Sequence, residues 1–178
     1  MIGLRSLPAA FVISSALLLS GQTATADEEA SATQMQGRQI DFASLPLDHA
    51  IKTVQGNGRR KLAVFADPYC PYCAALERRL WQVSDVTIYT FLFPILTAES
   101  KPMAAAIWCA PERAKAWRAW MLDGRPPARA SCDCAPLESN LALAQGLGVR
   151  ITPTIIVANG ELVTGAIRLD DLKSLLTP

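Results

Sequence analysis

Two cysteines separated by two residues, Cys70 and Cys73, stand where an apolar run at 61–66 gives way to the helix-like stretch 74–81. A C-x-x-C pair at the junction of a buried strand and a helix is arranged for thiol–disulfide exchange. The free N–H groups and positive dipole end of the helix favour a thiolate at the first cysteine, which makes Cys70 the expected nucleophile. Cys73 follows one turn later, within reach of a mixed disulfide on Cys70, and is the expected resolving thiol. The same spacing also serves zinc sites, but a zinc ribbon needs a second such pair or a histidine pair. This chain has one histidine, His49, on a separate polar segment, and it reads as a surface residue.

Three further cysteines, Cys109, Cys132 and Cys134, bring the total to five. An odd count leaves at least one unpaired or paired outside the chain. As a metal site these three lack an obvious fourth ligand, so no metal is assigned. The compartment bears on how the thiols are used. Residues 1–26 read as a secretory signal peptide, with Arg5 near the start, an apolar stretch at 7–19 and Ala24-Thr25-Ala26 before Asp27. The apolar stretch is short for a membrane span. Export to an oxidising compartment lets disulfides persist, so catalytic and structural cysteines are expected together. Net charge is +1, with basic and acidic residues interspersed, which argues against a nucleic-acid partner.

The rest of the chain must position the pair. Residues 27–40 are small, polar and aperiodic, and read as a flexible leader. Phe42, Leu45, Leu47, Ala50, Ile51 and Val54 recur near helical spacing, which predicts a short amphipathic helix closed by Gly56-Asn57-Gly58. The runs at 61–66 and 86–93 predict two parallel strands joined by the helix from Cys70, a βαβ unit. Residues 99–121 predict two helices broken at Pro111, with Trp108, Trp117 and Trp120 in the core and Arg113, Lys115 and Arg118 on a solvated face. A loop with Pro126-Pro127 leads to a helix at 137–147. Then come a strand at 154–158, a two-residue turn at Asn159-Gly160, a strand at 161–163 and a closing helix at 169–176. Asp67 and Glu77 read as exposed carboxylates near the helix start, solvated or capping. The order predicts an α/β fold, a mixed sheet covered by helices, with residues 41–178 forming one domain of ordinary size.

Four ordered motifs carry a family resemblance: residues 65–73 (Phe-Ala-Asp-Pro-Tyr-Cys-Pro-Tyr-Cys), 106–110 (Ala-Ile-Trp-Cys-Ala), 130–133 (Ala-Ser-Cys-Asp) and 147–154 (Leu-Gly-Val-Arg-Ile-Thr-Pro-Thr), the last followed by Asn159-Gly160. Over residues 41–178 the chain resembles the catalytic domain of the periplasmic disulfide isomerases DsbC and DsbG. The resemblance implies a thioredoxin-like fold with a helical insertion and a cis peptide bond at Pro153 beside the C-x-x-C pair. It also implies a substrate groove shaped by Thr152, Pro153 and Tyr72, and a second, non-catalytic disulfide formed by Cys109 with Cys132. Cys134 departs from the family pattern and is an alternative partner for Cys109. Such a bridge closes a loop worth on the order of 3 kcal/mol. Family members also carry an N-terminal dimerisation domain. Only about 35 residues separate the expected cleavage site from the strand at 61, too few for such a domain, so a monomer is expected.

The function expected from these readings is that of an exported, periplasmic, bacterial thiol:disulfide oxidoreductase that isomerises or reduces protein disulfides. Its only redox centre would be its own cysteine pair, with no added cofactor. Expected partners are cysteine-containing exported proteins and a membrane thiol reductant or oxidant. The alternatives are a monomeric dithiol oxidase and a non-catalytic peptide- or metal-binding module of the same fold.

Overall fold

The computed structural model describes residues 39–128 and 130–177. The expected signal peptide and all but the last two residues of the expected leader lie outside them. Strand β1 (Ile51–Gln55) is followed by β2 (Arg60–Ala66), helix α1 (Pro71–Leu80), β3 (Val86–Leu92), α2 (Ser100–Trp108), α3 (Arg113–Asp123), α4 (Ala135–Leu147), β4 (Thr154–Val157), β5 (Leu162–Thr164) and α5 (Leu169–Leu175). The strands form one sheet in the order β1-β3-β2-β4-β5. Within it β2 and β3 are parallel and the other pairings antiparallel. This is the mixed, helix-covered sheet that the sequence predicts, with α2 and α3 inserted after the βαβ unit.

Successive residues of a strand point to opposite faces, and the core divides accordingly. Leu62, Val64 and Ala66 of β2 pack with Leu76 and Leu80 of α1, Ile107 of α2, Trp117 of α3 and Leu172 of α5. Ala63 and Phe65 face the other way, toward Phe91, Phe93, Ala144 of α4 and the turns before β1. Phe65 stacks on Phe91 at 5.0 Å between ring centroids and meets Phe93 edge-on. Burial on both faces explains why β2 and β3 read as unbroken apolar runs.

The structure corrects several expectations. The helix expected over 42–54 is absent; two 3-10 turns (Phe42–Ser44 and Leu47–His49) lead instead into β1, which pairs antiparallel with β3. The apolar spacing there comes from Phe42 in the first turn and from Leu45 and Ala50, which follow the two turns, all three buried. In the β4–β5 hairpin four residues, 158–161, separate the strands where two were expected. Gly160 there has φ +87°, and a Cβ on it would lie 2.4 Å from the Ile40 carbonyl. Ile40 in turn donates its N–H to Gly160, and Gln39 Nε2 donates to Asn159, so the two described leader residues dock on this turn. Arg113 and Lys115 are exposed, as expected of a solvated face; Arg113 and the half-buried Arg118 also place their guanidinium carbons over the rings of Trp108 and Trp81, at 3.6 and 4.2 Å from the centroids.

Candidate active site

Because β2 and β3 run parallel and β4 runs against β2, the segments after β2 and β3 and the segment before β4 meet at one edge of the sheet. Phe93 N–H donates to Ala66 O at 2.8 Å, and Thr154 is paired with Phe65. Cys70 lies at this edge as the N-cap of α1, in extended backbone (φ −81°, ψ 115°), with Pro71 at the first helical position. That placement is favourable because the proline's missing N–H would be unpaired in the first turn anyway. The Cys70 sulfur takes the place of the usual capping oxygen and accepts the Cys73 N–H at 3.3 Å.

Cys70 and Cys73 are both free thiols, each only 3% exposed. The Cys70 thiol donates to the Thr152 carbonyl at 3.4 Å. The Thr152–Pro153 peptide bond is cis. Thr152 and Pro153 therefore lie directly against the C-x-x-C pair although 82 residues separate Thr152 from Cys70. The Thr152 hydroxyl is buried and has no hydrogen-bond partner among the described residues. Burial pushes the Cys73 thiol far above its ordinary range, and the adjacent Cys70 sulfur adds to the effect. The two sulfurs are thus unequal: one meets a helix N–H, the other is held as a neutral thiol.

Asp67 and Glu77, expected to face solvent, are buried. Asp67 is wholly enclosed and is the acceptor on which the site is assembled. Its Oδ1 accepts from Tyr69 N–H and Ser100 Oγ, each at 2.8 Å; its Oδ2 accepts from Ile95 N–H at 2.7 Å and Leu96 N–H at 2.9 Å. One carboxylate therefore ties the segment ahead of Cys70 to the segment after β3 and the start of α2. Glu77, one turn beyond Cys73, accepts from Trp117 Nε1 of α3 at 3.1 Å. Its burial raises its proton affinity, only partly offset by the Trp117 hydrogen bond and the charge of Arg118.

Exposed apolar side chains frame the pair. Tyr72 is 67% exposed, and Tyr69, Ile95, Leu96 and Ile151 are also open to solvent. Of these only Tyr72 was singled out from the sequence. The others share a recognisable setting, large apolar residues in the loops that flank strand ends. Tyr69 packs edge-on against Trp120, whose Nε1 donates to Pro68 O at 2.7 Å. From Tyr69 a groove continues between α2 and the loop before α4, lined by Pro102, Met103, Ala106, Pro126 and Pro127.

Away from this edge, Cys109 at the C-terminal end of α2 is bonded to Cys132, with 5.4 Å between Cα atoms, while Cys134 is free. Among the described residues no helix is long and apolar enough to cross a membrane.

The profile of the thioredoxin-like domain family matches residues 47–177. The probable thiol:disulfide interchange protein DsbC of Bordetella parapertussis is 47% identical over 137 residues, which cover 77% of this chain and 49% of that protein. The thiol:disulfide interchange protein DsbG of Escherichia coli is 34% identical over 122 residues, 63% of this chain and 49% of the relative. Among solved structures, a disulfide interchange protein from Neisseria gonorrhoeae superposes with a TM-score of 0.71 at 39% identity, covering 74% of this chain and 96% of the other. The chain spans about half the length of the curated relatives it matches.

Proposed function

From the chain's place in the thioredoxin-like domain family, where it belongs with the DsbC-type disulfide interchange proteins, we propose that it is an exported thiol:disulfide oxidoreductase that isomerises or reduces disulfides of client proteins. The observation that carries this reading is the inequality of the two sulfurs. Cys70 caps a helix and contacts the Thr152 carbonyl, while its partner Cys73 is kept protonated by burial.

In the proposed mechanism the Cys70 thiolate attacks one sulfur of a client disulfide. A Cys70–client bond forms, the client S–S bond breaks, and the second client sulfur leaves as a thiolate. If that or another client thiolate then attacks the adduct, the client regains a disulfide and Cys70 is released reduced: isomerisation without net electron transfer. If Cys73 loses its proton and attacks Cys70, the client leaves fully reduced and the protein carries the Cys70–Cys73 disulfide, to be reduced again by an external dithiol. Burial of Cys73 slows the second route, so the adduct persists long enough for client thiols to compete.

Client recognition is assigned to Tyr72, Thr152 and Pro153, joined by the apolar rim of Tyr69, Ile95, Leu96 and Ile151. A misfolded client exposes apolar chain, which such a rim accepts without sequence selectivity. The signal-like N-terminus and the second disulfide support a periplasmic location, where a membrane thiol reductant or oxidant would be the redox partner. No cofactor beyond the cysteine pair is required by this chemistry.

The test is refolding of a scrambled-disulfide protein by the purified chain, with insulin reduction in parallel and Cys70→Ser as control. Unscrambling that is lost in Cys70→Ser supports the reading. Insulin reduction without unscrambling leaves a reductase, and the absence of both activities removes the enzymatic proposal.

A further inference from the structure

The second disulfide has a third sulfur beside it. Cys134 Sγ lies 3.7 Å from Cys109 Sγ, and the sulfurs of Cys109, Cys132 and Cys134 all lie within 4.8 Å of one another. Cys134 is free and half-buried, whereas Cys132, already bonded to Cys109, is exposed. A thiol this close to a disulfide has an exchange partner at hand whose effective concentration no dissolved thiol matches.

We infer that Cys109, Cys132 and Cys134 form a second thiol–disulfide exchange centre, in which Cys134 displaces Cys132 from Cys109 and delivers a free thiol to the protein surface. The Cys134 thiolate forms a bond to Cys109 Sγ, the Cys109–Cys132 bond breaks, and Cys132 leaves as a thiolate that takes up the proton given up by Cys134. One disulfide and one thiol are present before and after, so no outside oxidant or reductant is consumed.

The surroundings allow the exchange to remain local. The peptide between Cys132 and Cys134 is held against α2 independently of the disulfide, because Trp108 Nε1 donates to the Asp133 carbonyl at 3.1 Å. Asp133 also caps α4, its Oδ1 accepting the Ala135 N–H at 2.9 Å. Both sulfurs that compete for Cys109 are thus attached to a segment that stays docked whichever of them is bonded. Displacement requires the attacking sulfur to approach along the extension of the breaking bond, and with all three within 4.8 Å Cys134 sits beside that bond. The required motion is a rotation of the Cys134 side chain, accompanied by withdrawal of Cys132 on its exposed loop.

The experiment uses the full chain carrying Cys70→Ser and Cys73→Ser, so that exchange can come only from the remaining three cysteines. Free thiols are alkylated under native conditions at mildly alkaline pH. The disulfide is then reduced in acid denaturant and labelled with an isotopically heavier reagent, and the sites are assigned by fragmentation of the peptide that contains Cys132 and Cys134. The expected result is native-state label at Cys132 within about tenfold of that at Cys134, because the two disulfides are chemically alike. That label should be unchanged on dilution of the protein and absent when Cys134→Ser is added. Label confined to Cys134 overturns the inference. As a second arm, Cys132→Ser oxidised with glutathione disulfide should yield a Cys109–Cys134 bond; two thiols that remain open to alkylation there also overturn it.

Discussion

Cys70 and Cys134 each occupy the N-cap of a helix, α1 and α4, and each is followed within two residues by a proline, Pro71 and Pro136. Their surroundings differ. The Cys70 sulfur accepts a first-turn N–H, is almost fully enclosed, and faces the Thr152 carbonyl. The Cys134 sulfur makes no cap; Asp133 supplies that bond, and Cys134 turns toward the carbonyl of Cys132 and the sulfur of Cys109. A cysteine at a helix start is thus a common local device, and what the fold brings opposite the sulfur decides its use. A neutral backbone carbonyl beneath an apolar rim leaves Cys70 available to an incoming chain. A disulfide next to Cys134 gives that thiol an internal partner.

Removing the sulfurs of the first site should have the greatest consequence. Cys70→Ser should abolish both unscrambling and insulin reduction, whereas Cys73→Ser should retain the first attack and accumulate a mixed disulfide with the client, visible as a reducible band on a non-reducing gel. If Cys73→Ser formed no adduct and Cys70→Ser did, the assignment of nucleophile and resolving thiol would be reversed.

Next in size is Asp67→Ala. It strips the acceptor from three backbone N–H groups and the Ser100 hydroxyl, removing a carboxylate that is itself wholly enclosed, and should cost about 4 kcal/mol in denaturant unfolding. Exchange activity should fall even where the variant is folded, because the carboxylate sets the loop ahead of Cys70. A loss below about 1 kcal/mol would show that water or a shifted loop replaces the carboxylate. Among the described residues no buried carboxylate anchors the Cys134 region in this way. There the comparable loss is Cys109→Ser, which opens a loop of 23 residues and should cost about 3 kcal/mol by relaxing the unfolded chain.

How far these features were legible follows from how local each one is. The strand, the Cys-Pro-Tyr-Cys start of α1 and the βαβ unit rest on neighbouring residues, and local pattern reports them well. Thr152 and Pro153 came from resemblance, since nothing in their immediate sequence says which cysteine they face. Asp67 was misread because its four donors come from Tyr69 and from residues 95, 96 and 100, and no pattern around Asp67 points to the far group. Glu77 was misread because its partner Trp117 lies 40 residues on. The segment 42–54 failed differently: its apolar spacing fits a helix, but Pro46 and the pairing of Ile51–Gln55 with β3 outweigh that period.

The smallest expected effect concerns Glu77, the charge nearest in sequence to the resolving thiol. Burial raises its proton affinity, so the folded chain holds this proton more tightly than the unfolded chain does. Stability from Glu77 is fully present below the ordinary value of 4.5 and is lost as pH rises from there toward the higher value in the folded state. Glu77→Gln keeps an acceptor for Trp117 Nε1 and removes the titration. The variant should therefore match the wild type near pH 4 and become progressively more stable than it toward neutrality, read from urea midpoints across that range. A constant offset at every pH would mean that Glu77 keeps its charge without penalty, and that Arg118 and Trp117 fully offset the burial.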